Sequence, residues 1–186
     1  MLRSEFCAAA HAYLDAHDTR WTWREHPSVS GFGYMARSVL HTRRAAEKET
    51  EQGLDDATAA PAVETLTCLQ YVVYSATFQV PAFYFTLHDA SGSPLALDDL
   101  VQTTLFHRFA FEGTQNTSFA VALPGSAFPL LSQGDHPTLG TPCWYFHPCQ
   151  SAAAVDEIVA ELGEQRVVGQ RWIEKWFMVL GSVVNM

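Results

Sequence analysis

Leu66–Val80, LTCLQYVVYSATFQV, is the stretch that most narrows what this chain can become. β-Branched and aromatic residues dominate it, and neither Gly nor Pro interrupts it before Pro81, so it reads as a strand. The run Ala82–His88, AFYFTLH, follows as a second strand, and Asp89–Pro94, DASGSP, supplies turn chemistry after it. Both strands are partly apolar on both faces. That places them in the middle of a sheet with at least one covered face, flanked by whatever the rest of the chain provides.

Before this stretch, Phe6, Ala10, Tyr13 and Leu14 lie on one face of a helix over residues 3–17. Trp21–His26 begins as an alternating strand stopped by Pro27, and Ser30–Met35 reads as a glycine-punctuated loop with a short strand. Residues 41–64 are charged, Ala-rich and poor in large apolar side chains, which predicts a solvated, partly disordered insertion or a segment that folds on a partner. After the strands, Asp98-Asp99 offers an N-cap for a helix over 99–107 with Leu100, Thr104 and Leu105 facing inward. Phe109–Phe119 reads as a loop, Phe119–Leu123 as a short strand or a helical turn, and Pro124–Pro142 as an irregular connection. Cys143-Trp144-Tyr145-Phe146-His147, bounded by Pro142 and Pro148, reads as a buried strand. A helix then carries Ala154, Val155, Ile158, Val159 and Leu162 inward and ends near Gly163. A second, from Gly169 to Leu180, buries Trp172, Ile173, Trp176, Phe177 and Leu180. This order of a helix, antiparallel-looking strands and then helices predicts an α+β fold, with 1–186 as one domain and no internal repeat.

Charge removes several classes of function. Eleven Lys and Arg against twenty Asp and Glu give a net charge of −9, unsuited to a nucleic-acid backbone or an anionic membrane surface. No apolar run reaches membrane-spanning length, and the acids in the N-terminal helix are unlike a secretory signal, so no membrane insertion is expected. The four cysteines, Cys7, Cys68, Cys143 and Cys149, are sparse and irregularly spaced, which points to a reduced, cytoplasmic compartment.

Cys149 stands between the predicted strand and the predicted helix. Unpaired N–H groups and the positive end of the helix dipole favour thiolate there. Pro148 fixes the backbone before it and His147 is close in sequence. The alternative is an inert cysteine at the end of a core strand. A cysteine hydrolase would need a His base and an orienting group, and His107, His136 and Asn116 are available by type, but no signature of that chemistry surrounds the thiol. His136, Cys143, His147 and Cys149 are four N/S groups, yet no cysteine pair has the C-x₂₋₄-C spacing of a structural zinc site, so no metal is expected. Cys7, Cys68 and Cys143 read as small core residues. Asp98-Asp99 and Asp55-Asp56 read as a helix cap and linker charge.

The segment Asp135-His136-Pro137 followed by Pro142-Cys143-Trp144-Tyr145-Phe146-His147-Pro148-Cys149 resembles the active-site region of the autophagy E2-like conjugating enzymes. Tyr71–Pro81, Tyr84-Phe85 and the His88-Asp89 turn with Gly92 and Pro94-Leu95 resemble that family in the same order. The likeness covers about residues 66–152, and the first 40 or so match only in pattern. It implies an E2-like core with a central antiparallel sheet flanked by helices. It also implies a cysteine nucleophile at Cys149 that holds a ubiquitin-like modifier as a thioester. The implied partners are an E1-like activating enzyme (autophagy-related protein seven), the modifier (autophagy-related protein twelve) and a lysine of an acceptor protein (autophagy-related protein five). The lipid-conjugating branch, which attaches a modifier to phosphatidylethanolamine, is the alternative within the family; a non-catalytic interaction module is the alternative outside it. Ordinary ubiquitin-conjugating enzymes carry His-Pro-Asn several residues before their cysteine. Here Cys149 occupies the place of that Asn, so an oxyanion donor must come from elsewhere, with His147, Tyr74 and Asn116 as candidates. The edge of the Leu66–His88 strands and residues 41–64 are the candidate docking surfaces.

Overall fold

The structure is a computed structural model and describes residues 1–44, 63–161 and 169–186. Most of the expected 41–64 insertion, with Asp55-Asp56, and the expected helix end at Gly163 lie outside the described residues. The elements run α1 (Arg3–Ala16), β1 (Thr22–Arg24), β2 (Tyr34–Arg44), β3 (Val63–Ser75), β4 (Val80–His88), α2 (Leu97–Leu100), β5 (Gln115–Asn116), β6 (Ala120–Ala122), β7 (Leu131–Asp135), β8 (Pro142–Phe146), α3 (Pro148–Glu161) and α4 (Gln170–Gly181). The strands form one antiparallel sheet in the order β1-β2-β3-β4-β8-β7-β6-β5. The fold is therefore the expected α+β arrangement.

Period-two alternation divides the sheet into two faces with different coverings. Met35, Leu66, Cys68, Val72, Tyr74, Phe83, Phe85, Leu87 and Trp144 point to one side, where Phe6, Ala9 and Ala10 of α1, Val155 of α3 and the apolar stripe of α4 complete the core. That stripe is Trp172, Ile173, Trp176, Phe177 and Leu180, as the sequence predicts. Each such side chain contributes roughly 1.5–3 kcal/mol by leaving water, enough to hold an amphipathic helix of weak intrinsic stability on the sheet. Tyr34, Val73, Ala82, Tyr84 and Cys143 form a smaller cluster on the opposite face.

Several boundaries differ from expectation for identifiable reasons. The Leu66–Val80 run is not one strand: β3 ends at Ser75, Ala76–Gln79 make the turn, and Gln79 takes a φ of 55° to close it. Pro81 is the second residue of β4 rather than a stop, and β8 pairs with β4 only at Tyr84 and Phe85, well clear of it. β2 is far longer than the short strand expected, because polar Arg37 and His41 occupy its core face and conceal the alternation. Arg37 donates to Gln70 at 2.7 Å and lies 4.4 Å over the Trp21 ring, and the Gln70 amide lies 3.5 Å from the His41 imidazole. The margins of the expected insertion are likewise paired strand, with Arg43 opposite Glu64 and their side chains bonded at 2.7 Å. The helix expected over 99–107 is the single turn Leu97–Leu100. It is capped by the Ala96 backbone instead of an aspartate, and Asp99 pairs with Arg43 at 2.9 Å. Leu100 and Leu105 are buried as predicted, whereas Thr103 rather than Thr104 faces in. Part of the 109–119 loop is β5, Phe119–Leu123 resolves as strand β6, and the irregular 124–142 connection contains β7. Finally, β3 and β4 are interior strands, so neither offers the free docking edge expected of Leu66–His88.

The β7–β8 hairpin is fixed by two devices. Gly134 faces Tyr145 so closely that a Cβ there would lie 2.8 Å from the tyrosine ring, which only glycine avoids. In the connecting turn, the imidazole of His136 is 1% exposed and boxed by Tyr34, Tyr71 and Tyr84, with ring centroids 4.9, 4.7 and 5.8 Å away. Its Nδ1 accepts the backbone N–H groups of Thr138 and Leu139, both at 3.1 Å, so the ring is neutral with its proton on Nε2. Burial pushes its pKa down to about 4. His41 and His147 are pushed down by burial as well.

These shifts fix the sign of the acid response. An unfolded histidine titrates near 6.5, so below that pH the unfolded chain binds protons that the buried imidazoles refuse. Stability is full above about pH 6.5 and falls as the pH drops toward 4, by about 3 kcal/mol for His136. Unfolding midpoints measured across that range should decline, and His136→Asn, which keeps an acceptor but cannot titrate, should flatten the slope. An unchanged slope would remove His136 as its source.

Candidate active site

β8 leads directly into the site. It is paired on both sides, with β4 through Tyr84↔Tyr145 and Phe85↔Trp144 and with β7 over the five pairs from Leu131↔Phe146 to Asp135↔Pro142. The ladder ends at Phe146, and the backbone N–H of His147 still donates to Leu130 at 2.9 Å. Pro148 then opens α3. Proline suits a first helical residue, because its ring presets φ and the missing N–H would have had no helical partner there. Cys149 follows in the first turn, among free N–H groups and at the positive end of the helix dipole. The turn is tied to the core: the Ser151 hydroxyl donates to the Pro148 carbonyl at 3.0 Å and accepts from the Trp176 indole at 3.2 Å.

Cys149 is half-buried and its Sγ lies 2.7 Å from Nδ1 of His147. Burial lowers the His147 pKa, which favours a neutral imidazole whose Nδ1 can accept from the thiol when its own proton sits on Nε2. A short thiol–imidazole contact beside a helix N-terminus is an arrangement that can generate a thiolate on demand. The other cysteines are placed differently. Cys68 and Cys143 are buried, Cys7 is a partly buried residue of α1, and burial raises all three pKa values, that of Cys68 to about 12.

The remaining sequence candidates are not assembled around the thiol. Tyr74 is buried on the core face, and its hydroxyl donates to the Met1 carbonyl at 2.9 Å, so its proton is already engaged. Asn116 is exposed in β5, three strands from β8, which at the usual strand spacing is about 14 Å across the sheet. It lines a cleft with Asp98 and Ser118 instead. His107 bonds the Gly181 carbonyl at 2.9 Å and His136 lies in the tyrosine box. Among the described residues, no group of three or more His, Cys, Asp or Glu could hold a metal ion. Two contacts to His147 were not legible in sequence. Phe78, in the β3–β4 turn, meets its ring edge-on at 4.9 Å, and Phe128, in the loop before β7, stacks on it at 4.8 Å. Phenylalanine carries no chemical signature, and only the sheet register brings these two together.

Comparison with known proteins adds a family. Residues 5–186 match the profile of the autophagocytosis associated protein, active-site domain. The chain is 25% identical over 202 aligned positions to the human ubiquitin-like-conjugating enzyme ATG10, covering 97% of this chain and 86% of that protein. It is 27% identical to the Arabidopsis thaliana protein of the same name, covering 74% of this chain and 58% of the relative. For the Dictyostelium discoideum protein of that name the identity is 21%, covering 62% of this chain and 49% of the relative.

Burial and geometry together predict a strong preference among the thiols. Brief treatment of the native protein with iodoacetamide should modify Cys149 first, and Cys68 and Cys143 should react only after denaturation. Peptide mass mapping over time reads the order, and early modification of Cys68 or Cys143 would contradict it.

Proposed function

Because the chain belongs to the autophagocytosis associated protein, active-site domain family, we propose that it is an E2-like conjugating enzyme holding a ubiquitin-like modifier as a thioester on Cys149. The observation that carries the reading is the 2.7 Å contact between Cys149 Sγ and His147 Nδ1 at the head of α3. It operates as one domain across 1–186, in the cytoplasm; no helix among the described residues is long and apolar enough to cross a membrane.

Loading begins as the Cys149 thiol proton passes to Nδ1 of His147. The thiolate attacks the thioester carbonyl by which an E1-like enzyme (autophagy-related protein seven) carries the modifier. The tetrahedral intermediate expels the E1 thiolate, which takes the proton back from His147, and the modifier's C-terminal acyl group is now on Cys149. In discharge, an acceptor lysine amine attacks the same carbonyl, its surplus proton goes to His147, and Cys149 leaves as thiolate and regains that proton. The product is an isopeptide bond, and the step uses no metal or organic cofactor. The free N–H groups at the start of α3 stabilise the developing negative charge.

Autophagy-related protein twelve as modifier and autophagy-related protein five as acceptor are the specific assignment. Against a lipid acceptor stands the packing of α1: Phe6, Ala9 and Ala10 are buried against the core, so that face of the helix is not free to enter a bilayer.

The test combines the protein with the activating enzyme, modifier and ATP on a non-reducing gel. Wild type should give a thiol-sensitive adduct, Cys149→Ser a thiol-resistant oxyester, and Cys149→Ala nothing. An adduct that persists in Cys149→Ala would displace Cys149 as the nucleophile. Added acceptor protein should discharge the thioester, whereas discharge by phosphatidylethanolamine vesicles instead would favour the lipid-conjugating branch.

A further inference from the structure

Cysteine–histidine pairs ordinarily include a third polar group that orients the imidazole. His147 shows none: among the described residues, its ring makes no hydrogen bond to a carboxylate or amide side chain. Orientation matters here because a half-turn about Cβ–Cγ exchanges Nδ1 with Cδ2, and a C–H edge facing Sγ can accept no proton. What borders the ring instead is aromatic. Phe128 stacks on it with an interplanar angle of 21°, and Phe78 meets it nearly edge-on at 72°. The backbone is pinned by the bond to Leu130, so the side-chain torsions are the remaining freedom, and a ring held against these two neighbours cannot turn through the perpendicular without displacing one of them. Phe78 is 38% and Phe128 51% exposed. Burying a phenylalanine fully gains roughly 1.5–3 kcal/mol, so two rings left half in water are poorly explained as core.

We propose that Phe78 and Phe128 are the positioning residues of the Cys149–His147 pair, a clamp that keeps Nδ1 aimed at Sγ by stacking where a carboxylate would do so by hydrogen bonding. The proposal rests on the reading of Cys149 as the nucleophile and adds to it what holds its base. The clamp also keeps water from the ring, in line with the downward shift that leaves the imidazole neutral and ready to accept. It is assembled from two separate elements, the β3–β4 turn and the approach to β7, so the base is set only when both sheet ladders have formed.

The experiment is the rate of Cys149 alkylation by iodoacetamide as a function of pH, on the full chain, followed by mass mapping. General-base assistance is worth about 10²–10⁴-fold, and loss of alignment should forfeit roughly tenfold of it near neutral pH. Phe78→Ala and Phe128→Ala should each slow alkylation by that factor and move the pH profile toward that of His147→Ala. Phe128→Tyr, which can still stack, should restore the wild-type profile, and Phe128→Leu, apolar but unable to stack, should not. Thermal midpoints of the variants separate this from loss of fold, because a merely structural role would move the midpoint and leave the profile in place. Alanine variants with the wild-type profile, or a His147→Ala profile equal to wild type, overturn the clamp. Failure of the wild-type chain to form any thiol-sensitive adduct with activating enzyme, modifier and ATP would instead overturn the nucleophile reading, and the alkylation profile still judges the clamp.

Discussion

The double pairing of β8 is the constraint on which the site depends. This five-residue strand joins the β1–β4 half of the sheet to the β5–β7 half. Its five pairs to β7 set its register, and its two pairs to β4 lock the halves together. Side-chain direction follows with period two, so Trp144 and Phe146 enter the helical core while Cys143 and Tyr145 go to the opposite face. A slip of one residue would exchange these sets and move the end of the ladder away from His147. The glycine under Tyr145 and the histidine in the tyrosine box guard against that slip from the hairpin side.

What could be read from the residues, and what could not, follows from where the physics is local. The α4 stripe was legible because large apolar side chains at helical spacing have few other uses, and β8 because two prolines bracket an aromatic run. The place of Cys149 at the head of α3 was legible from the change of periodicity at Pro148. By contrast, β2 was hidden because its core face is built from Arg37 and His41, whose burial is compensated only across the sheet by Gln70 and Trp21. β7, LSQGD, has no strand propensity of its own and exists because β8 offers a ladder. The β3–β4 turn was missed because Thr77, Phe78 and Gln79 are not turn formers; tertiary pairing imposes the positive φ at Gln79. Phe78, and with it one side of the site, disappeared into what looked like unbroken strand.

The same division runs through the candidate site. Its proposed nucleophile and base are neighbours in sequence, His147-Pro148-Cys149, so local text suffices to propose them. Their environment is non-local, drawn from a turn about seventy residues earlier, a loop about twenty residues earlier and a tryptophan on the last helix. Tyr74 and Asn116 had suitable functional groups, but one is engaged with the Met1 carbonyl and the other lies across the sheet. Functional-group type is a weak guide where distance is set by topology.

Pro148 carries one more implication. As the first residue of α3, next to the last hydrogen bond of the β8 segment, it removes a backbone torsion from the link between a strand fixed on both edges and a helix fixed to the core. A joint with so little freedom determines the direction in which anything covalently attached at Cys149 departs from the surface. A bulky protein cargo would then leave along a narrow cone of approach rather than swing on a loop. The geometry of delivery would belong to the backbone, leaving the partners to meet it.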